Sequence, residues 1–113
     1  MPYIEIKTNV SFNQEQINLL KSDMGKNITA IPGKSEDWLM VDFCEDRNMF
    51  FKGVDLPCAI VDVSIFGKAE KKYFDDLTER ICNSVSTVLG LDKDRIYVKY
   101  SEIEKWGWNG VNF

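Results

Sequence analysis

The sequence predicts an α+β fold in which one strand–helix–strand unit occurs twice, giving a four-stranded mixed sheet with both helices on one face. Three observations carry that expectation. Ile4 and Ile6 alternate with Glu5 and Lys7, as Val61 and Val63 do with Asp62 and Ser64, which is the period of a half-buried strand. Two longer stretches place apolar residues every three or four positions, the period of a helix with one buried face. A constant offset of 57 residues carries the first strand and helix onto the second, which chance matches poorly.

After the first strand, Ser11 or Asn13 can cap a helix, with Gln14 or Gln16 three residues on completing a capping box. Ile17, Leu20, Met24, Ile28 and Ile31 share its buried face, and Pro32-Gly33 stops it. Trp38 to Phe43 reads as a second strand, Arg47 to Gly53 as a short third one, and Val54 to Pro57 as a turn. Cys58 to Ile65 is the next strand, and Phe74, Leu77, Ile81, Val85 and Val88 line the second helix. Each equals a position of the first helix plus the same offset, which also relates Gly33 to Gly90 and Asp37 to Asp94. Leu39, Val41 and Phe43 map in the same way onto Ile96, Val98 and Tyr100. The chain is therefore one domain, 1–113, of two halves, about 1–57 and 58–113.

A helical crossover joins parallel strands right-handedly, so each half sets its helix on the same side of the sheet. The shift-related strand residues Ile4, Ile6, Leu39, Val41, Phe43, Val61, Val63, Ile96, Val98 and Tyr100 then face the helices. Glu5, Lys7, Met40, Asp42, Ile60, Asp62, Ser64, Tyr97 and Lys99 occupy the other face. That mixed face suits a wet interior between copies of the chain, or a solvated sheet in a monomer. Trp106, Trp108 and Phe113 close the chain and are too apolar to leave exposed, so they dock on a neighbouring subunit or roof a pocket.

Composition removes several function classes. The net charge is -4 with no basic stripe, which argues against nucleic acid. No run approaches a membrane span, and the first thirty residues hold no signal peptide, so a cytoplasmic protein is expected. Cys44, Cys58 and Cys82 stand at unrelated spacings and read as reduced thiols. Without histidine or paired cysteines, neither a metal nor a cofactor is expected.

The chemically distinctive stretch is Met1-Pro2-Tyr3. Initiator Met is usually trimmed before a small residue, which would leave Pro2 with a free secondary amine. An α-amino group titrates near pH ~8, and burial or a neighbouring cation lowers that value, making the amine a base at neutral pH.

The chain resembles the macrophage migration inhibitory factor family of the tautomerase superfamily. The likeness is carried in order by Met1-Pro2, Lys7-Thr8-Asn9-Val10, Gly33-Lys34, Pro57-Cys58-Ala59, Phe66-Gly67-Lys68, Asp94-Arg95-Ile96-Tyr97-Val98 and Gly107-Trp108-Asn109. It implies a homotrimer with active sites between subunits, and a tautomerase that interconverts keto and enol forms of phenylpyruvate-like 2-oxo acids and dopachrome-like test substrates. Pro2 would be the catalytic base and Lys34 the carboxylate-binding lysine. Phe66 would offer its backbone N–H, and Tyr97 of the adjacent subunit would close the pocket. Tyr3, Ser64, Ile103, Trp106 and Trp108 would line it.

Three departures matter. Cys58-Ala59-Ile60-Val61 lacks the second thiol of the family's Cys-x-x-Cys pair, so thiol–disulfide exchange is not carried over. Lys99 replaces a small polar residue; it either adds a cation to the pocket, favouring a diacid, or pairs with Asp62 or Asp42. Phe66 and Trp106 are bulky and narrow the mouth. The resemblance also implies a different class of function, a cytokine-like ligand of a host receptor with a vestigial pocket, exported without a signal peptide. Hydration or decarboxylation of a small acid is a third expectation.

Overall fold

A computed structural model describes all 113 residues, Met1–Phe113. Strand β1 (Pro2–Thr8) leads to helix α1 (Gln14–Asn27) and strand β2 (Met40–Cys44); β3 (Ala59–Phe66), α2 (Lys71–Leu89) and β4 (Ile96–Ile103) repeat the pattern. The sheet runs β2-β1-β3-β4. Both outer pairs are parallel, as a helical crossover requires, and the central pair β1–β3, where the two halves meet, is antiparallel. A short hairpin of β5 (Gly107–Trp108) and β6 (Val111–Asn112) closes the chain.

The repeat extends into detail. The 3₁₀ turns Glu36–Trp38 and Lys93–Arg95 are related by the same offset. So are Glu5 and Asp62, which lie opposite each other in the β1–β3 register, and Asn27 and Ser84, whose side chains hydrogen-bond at 3.1 Å. Residues that meet their own equivalents mark a pseudo-twofold axis running through the middle of the sheet and between the helices.

The core lies between the helices and one sheet face. Ile4, Ile6, Val61 and Val63 meet Leu20, Met24, Leu77, Ile81 and Val85, all fully buried. Removing such side chains from water stabilises by roughly 1.5–3 kcal/mol each. Val41, Phe43, Val98 and Tyr100 face the same core but stay half-buried, because β2 and β4 are the open edges. No helix is long and apolar enough to cross a membrane.

Some local expectations need correction. Arg47 to Gly53 forms no strand: Asp46, Lys52 and Gly53 have positive φ, and only a bridge between Phe51 and Val54 remains. Trp38 lies in a 3₁₀ turn ahead of β2, and Ile28 to Ala30 form another that separates Ile31 from α1. The cap of α1 is Asn13, whose side chain accepts from the Gln16 N–H at 2.8 Å while the Gln16 side chain accepts from the Asn13 N–H at 2.9 Å. Asn13→Ala should therefore lower unfolding stability by about 1 kcal/mol. The expected signature is a lower urea midpoint at matched protein concentration with an unchanged slope.

Candidate active site

The alternation of β1 buries Pro2, Ile4, Ile6 and Thr8 and turns Tyr3, Glu5 and Lys7 to the other face. Tyr3 lies in register between Met40 of β2 and Ser64 of β3. These three side chains form the floor of a cavity of about 760 Å³ that opens beside Met1 and Pro2. Its walls come from two places far apart in sequence. Asp37, Trp38 and Leu39 arrive from the turn before β2, and Ile103, Trp106, Gly107 and Trp108 from the end of β4 and the hairpin.

The two indoles meet at that junction, Trp38 against Trp108 edge to face with centroids 5.1 Å apart, each still about half exposed. The turn carrying Trp38 sits close to α1 because Gly25 leaves room: a Cβ there would run into the Glu36 side chain. Asn109 and Gly110, both at positive φ, close the hairpin that carries Trp108. An Asn-Gly pair between Trp108 and Val111 is a strong hairpin signal, legible in the sequence though absent from the expectations above.

A cation and a donor stand at the rim. Gly33 adopts φ +80, a left-handed conformation natural to glycine, and turns the chain so that Lys34 points back at β3. The Lys34 Nζ donates to the Phe66 carbonyl at 2.8 Å, and the Phe66 N–H donates to the Met1 carbonyl at 3.0 Å. Burial first, then the Lys34 charge and hydrogen bonding to Lys34, hold the Met1 amine below its ordinary value. Each effect disfavours the ammonium form.

Of the anticipated site residues, Pro2, Tyr3, Ser64, Ile103, Trp106 and Trp108 line this one cavity; Lys34 and Phe66 do not line it and connect to it through Met1, Phe66 by its N–H on the Met1 carbonyl and Lys34 beside the Met1 amine. Met40, Leu39, Trp38 and Asp37 were not anticipated as lining. Trp38 could have been found from its aromatic character next to the polar run Ser35-Glu36-Asp37, which marks a turn better than a strand. The Phe66 ring rests against Phe113 with centroids 5.6 Å apart, so the last residue also packs at this rim.

Tyr97 and Lys99 lie elsewhere. Tyr97 is in register with Ile60, which pairs with Lys7, at the far end of the sheet from Pro2. Lys99 reaches Asp62 across the polar face, with Nζ 3.2 Å from a carboxylate oxygen. On that face Asp42, Glu5, Asp62 and Lys99 form a row in register across all four strands. Tyr3 shares its hydroxyl proton between Asp42 at 3.0 Å and Glu5 at 3.2 Å, so burial and these two carboxylates raise its pKa.

Glu5, Asp42 and Cys44 are the only grouping of possible metal donors, with ligand atoms within 4.8 Å of one another. Those carboxylates are already engaged by Tyr3 and Lys7. Burial and the same two carboxylates push the Cys44 thiol up, which makes it a poor nucleophile.

The family model described as macrophage migration inhibitory factor matches residues 1–113. Macrophage migration inhibitory factor of Rattus norvegicus is 27% identical over 115 residues, covering 100% of this chain and 99% of the relative. D-dopachrome decarboxylase-B of Xenopus laevis is 30% identical over 122 residues, covering 98% and 96%. The crystal structure of Leishmania major MIF2 superposes with a TM-score of 0.94 at 30% identity, covering 100% of this chain and 97% of that one.

Proposed function

The chain belongs to the macrophage migration inhibitory factor family, and on that premise we propose that it is a homotrimeric tautomerase of aromatic 2-oxo acids with Pro2 as its general base. The observation that carries this reading is the convergence of the Lys34 ammonium and the Phe66 N–H on Met1, whose amine and carbonyl they meet and which lines the apolar cavity beside Pro2.

Loss of Met1 moves the free amine to the Pro2 nitrogen, beside the same lysine, and releases the Phe66 N–H from the Met1 carbonyl. The substrate carboxylate then sits on Lys34 and the Phe66 N–H, and its ring enters the space between Tyr3, Trp106 and the Trp38–Trp108 pair. The neutral Pro2 nitrogen takes the proton from the carbon next to the 2-oxo group. The electron pair left behind moves onto the carbonyl oxygen, where the developing charge needs a donor or cation. Protonation of that oxygen gives the enol, and the reverse path gives the ketone.

One cation at the rim and an acid, Asp37, in the wall favour a substrate with a single carboxylate. Because Lys99 is held by Asp62 on the sheet face, Lys99→Met should leave kcat/KM for phenylpyruvate within about twofold, as for an exposed ion pair.

In this reading Tyr97 belongs to a pocket shared between copies, as the family likeness implies. At about 3.4 Å per residue, the five steps along β1 from Pro2 to Lys7 span roughly 17 Å, so Tyr97 cannot reach the Pro2 of its own chain. A neighbouring copy supplies it. The test is an enol-absorbance assay on phenylpyruvate with protein whose N-terminus and mass in solution have been measured. Conversion by a trimer that begins at Pro2 is expected; conversion that is equal in a monomer would defeat the reading.

A further inference from the structure

We infer that Arg95 is a positioning residue for the active site, acting through Phe51 on the ring of Tyr97. The inference rests on the reading above, in which Tyr97 closes a neighbouring copy's pocket.

The Arg95 guanidinium is bound by four backbone carbonyls of one loop. Its Nε donates to Pro57 at 2.8 Å and its Nη2 to Leu56 at 2.9 Å, with longer bonds to Phe51 at 3.3 Å and Val54 at 3.4 Å. Hydrogen bonds from a charged donor contribute more than neutral ones, and the fixed fork of arginine suits several acceptors at once. The loop so gathered is tight and strained. Phe51 and Val54 exchange both backbone hydrogen bonds, and Lys52 takes φ 55 where glycine would be easier.

The consequence appears at Phe51. Its ring lies under the Arg95 guanidinium at 5.2 Å and meets the Tyr97 ring edge to face, with centroids 4.9 Å apart at 83°. Tyr97 is 59% exposed, and its hydroxyl makes no hydrogen bond within the chain. Phe51 is its one aromatic contact. A free tyrosine on a sheet would sample several rotamers, whereas a residue that must meet a substrate held by another copy benefits from a fixed one. Arg95 immobilises the loop, the loop immobilises Phe51, and Phe51 orients Tyr97.

The test is a kinetic cycle with Phe51→Leu, Arg95→Gln, Tyr97→Leu and the double variants, each checked for mass in solution and circular dichroism. Phe51→Leu and Tyr97→Leu should each lower kcat/KM about tenfold, mostly through KM, and combining them should lower it no further than Tyr97→Leu alone. Phe51→Tyr, which keeps the ring edge, should retain the wild-type value. Arg95→Gln should behave as Phe51→Leu does, and Phe51→Leu carries the test if Arg95→Gln does not fold. Multiplicative losses in the double variant, or a Phe51→Leu enzyme as active as wild type beside an impaired Tyr97→Leu, would overturn the inference. If Tyr97→Leu has no effect while blocking Pro2 abolishes turnover, Tyr97 is not at the site and the inference falls with that part of the reading.

Discussion

A chain with one large residue inserted between Met1 and Pro2 is expected to lose about 10²- to 10⁴-fold in kcat/KM for phenylpyruvate, the contribution of a positioned base. Two losses combine. Acylation removes the lone pair of the Pro2 nitrogen as a base, and the added residue's carbonyl stays on the Phe66 N–H, as Met1's does here at 3.0 Å. Pro2→Gly, trimmed of Met1, should fall less. It keeps an amine beside Lys34 and leaves the Phe66 N–H open, but a flexible glycine no longer holds that amine in one geometry. The order expected is therefore wild type, then Pro2→Gly, then the extended chain. Equal conversion by all three would remove Pro2 from the mechanism.

Lys34→Ala is expected to show two separate effects. Loss of a charge-assisted hydrogen bond to the substrate carboxylate, at about 1.5–3 kcal/mol, corresponds to roughly 10- to 150-fold, chiefly in KM. The second effect is on pH. The Lys34 charge lowers the pKa of the Met1 amine, and once Met1 is lost the same like charge is expected to act on the Pro2 amine, so its removal should raise that pKa. The neutral amine is the active form, so the acid limb of the kcat/KM profile should move to higher pH. Lys34→Arg keeps the charge and should hold the limb in place while altering KM. A Lys34→Ala profile that shifts to lower pH, or keeps both KM and its limb, would show that Lys34 touches neither the substrate nor the amine.

The fold was legible because the chain states it twice. Ile4 with Val61, Leu20 with Leu77 and Gly33 with Gly90 obey one offset, and the two 3₁₀ turns and the Asn27–Ser84 contact obey it as well. The segment 46–53 has no counterpart in that pattern. Its aromatic Phe50 and Phe51 imitate a strand, but the Phe51 carbonyl accepts from Arg95, more than forty residues later, and a contact of that range leaves no local signal. Trp38 is similar. Its role in the wall depends on Trp108, which reaches it only through the closing hairpin.

Tyr3 and Ser64 were assigned to the pocket through the family resemblance, and the β1–β3 register sets them side by side in its floor. Lys99 was the ambiguous one. Alternation puts it on the polar face, and only the register opposite Asp62 decides that it pairs there.

The charge state of the Pro2 nitrogen is read directly by a titration followed by ¹⁵N NMR of protein labelled at proline and lacking Met1. A pKa below the ordinary α-amino range of roughly 7.7–8.0, rising when Lys34 is replaced by alanine, is the predicted result. A value at or above that range that ignores Lys34 would mean that the amine is solvated and charged at neutral pH, and would contradict the account.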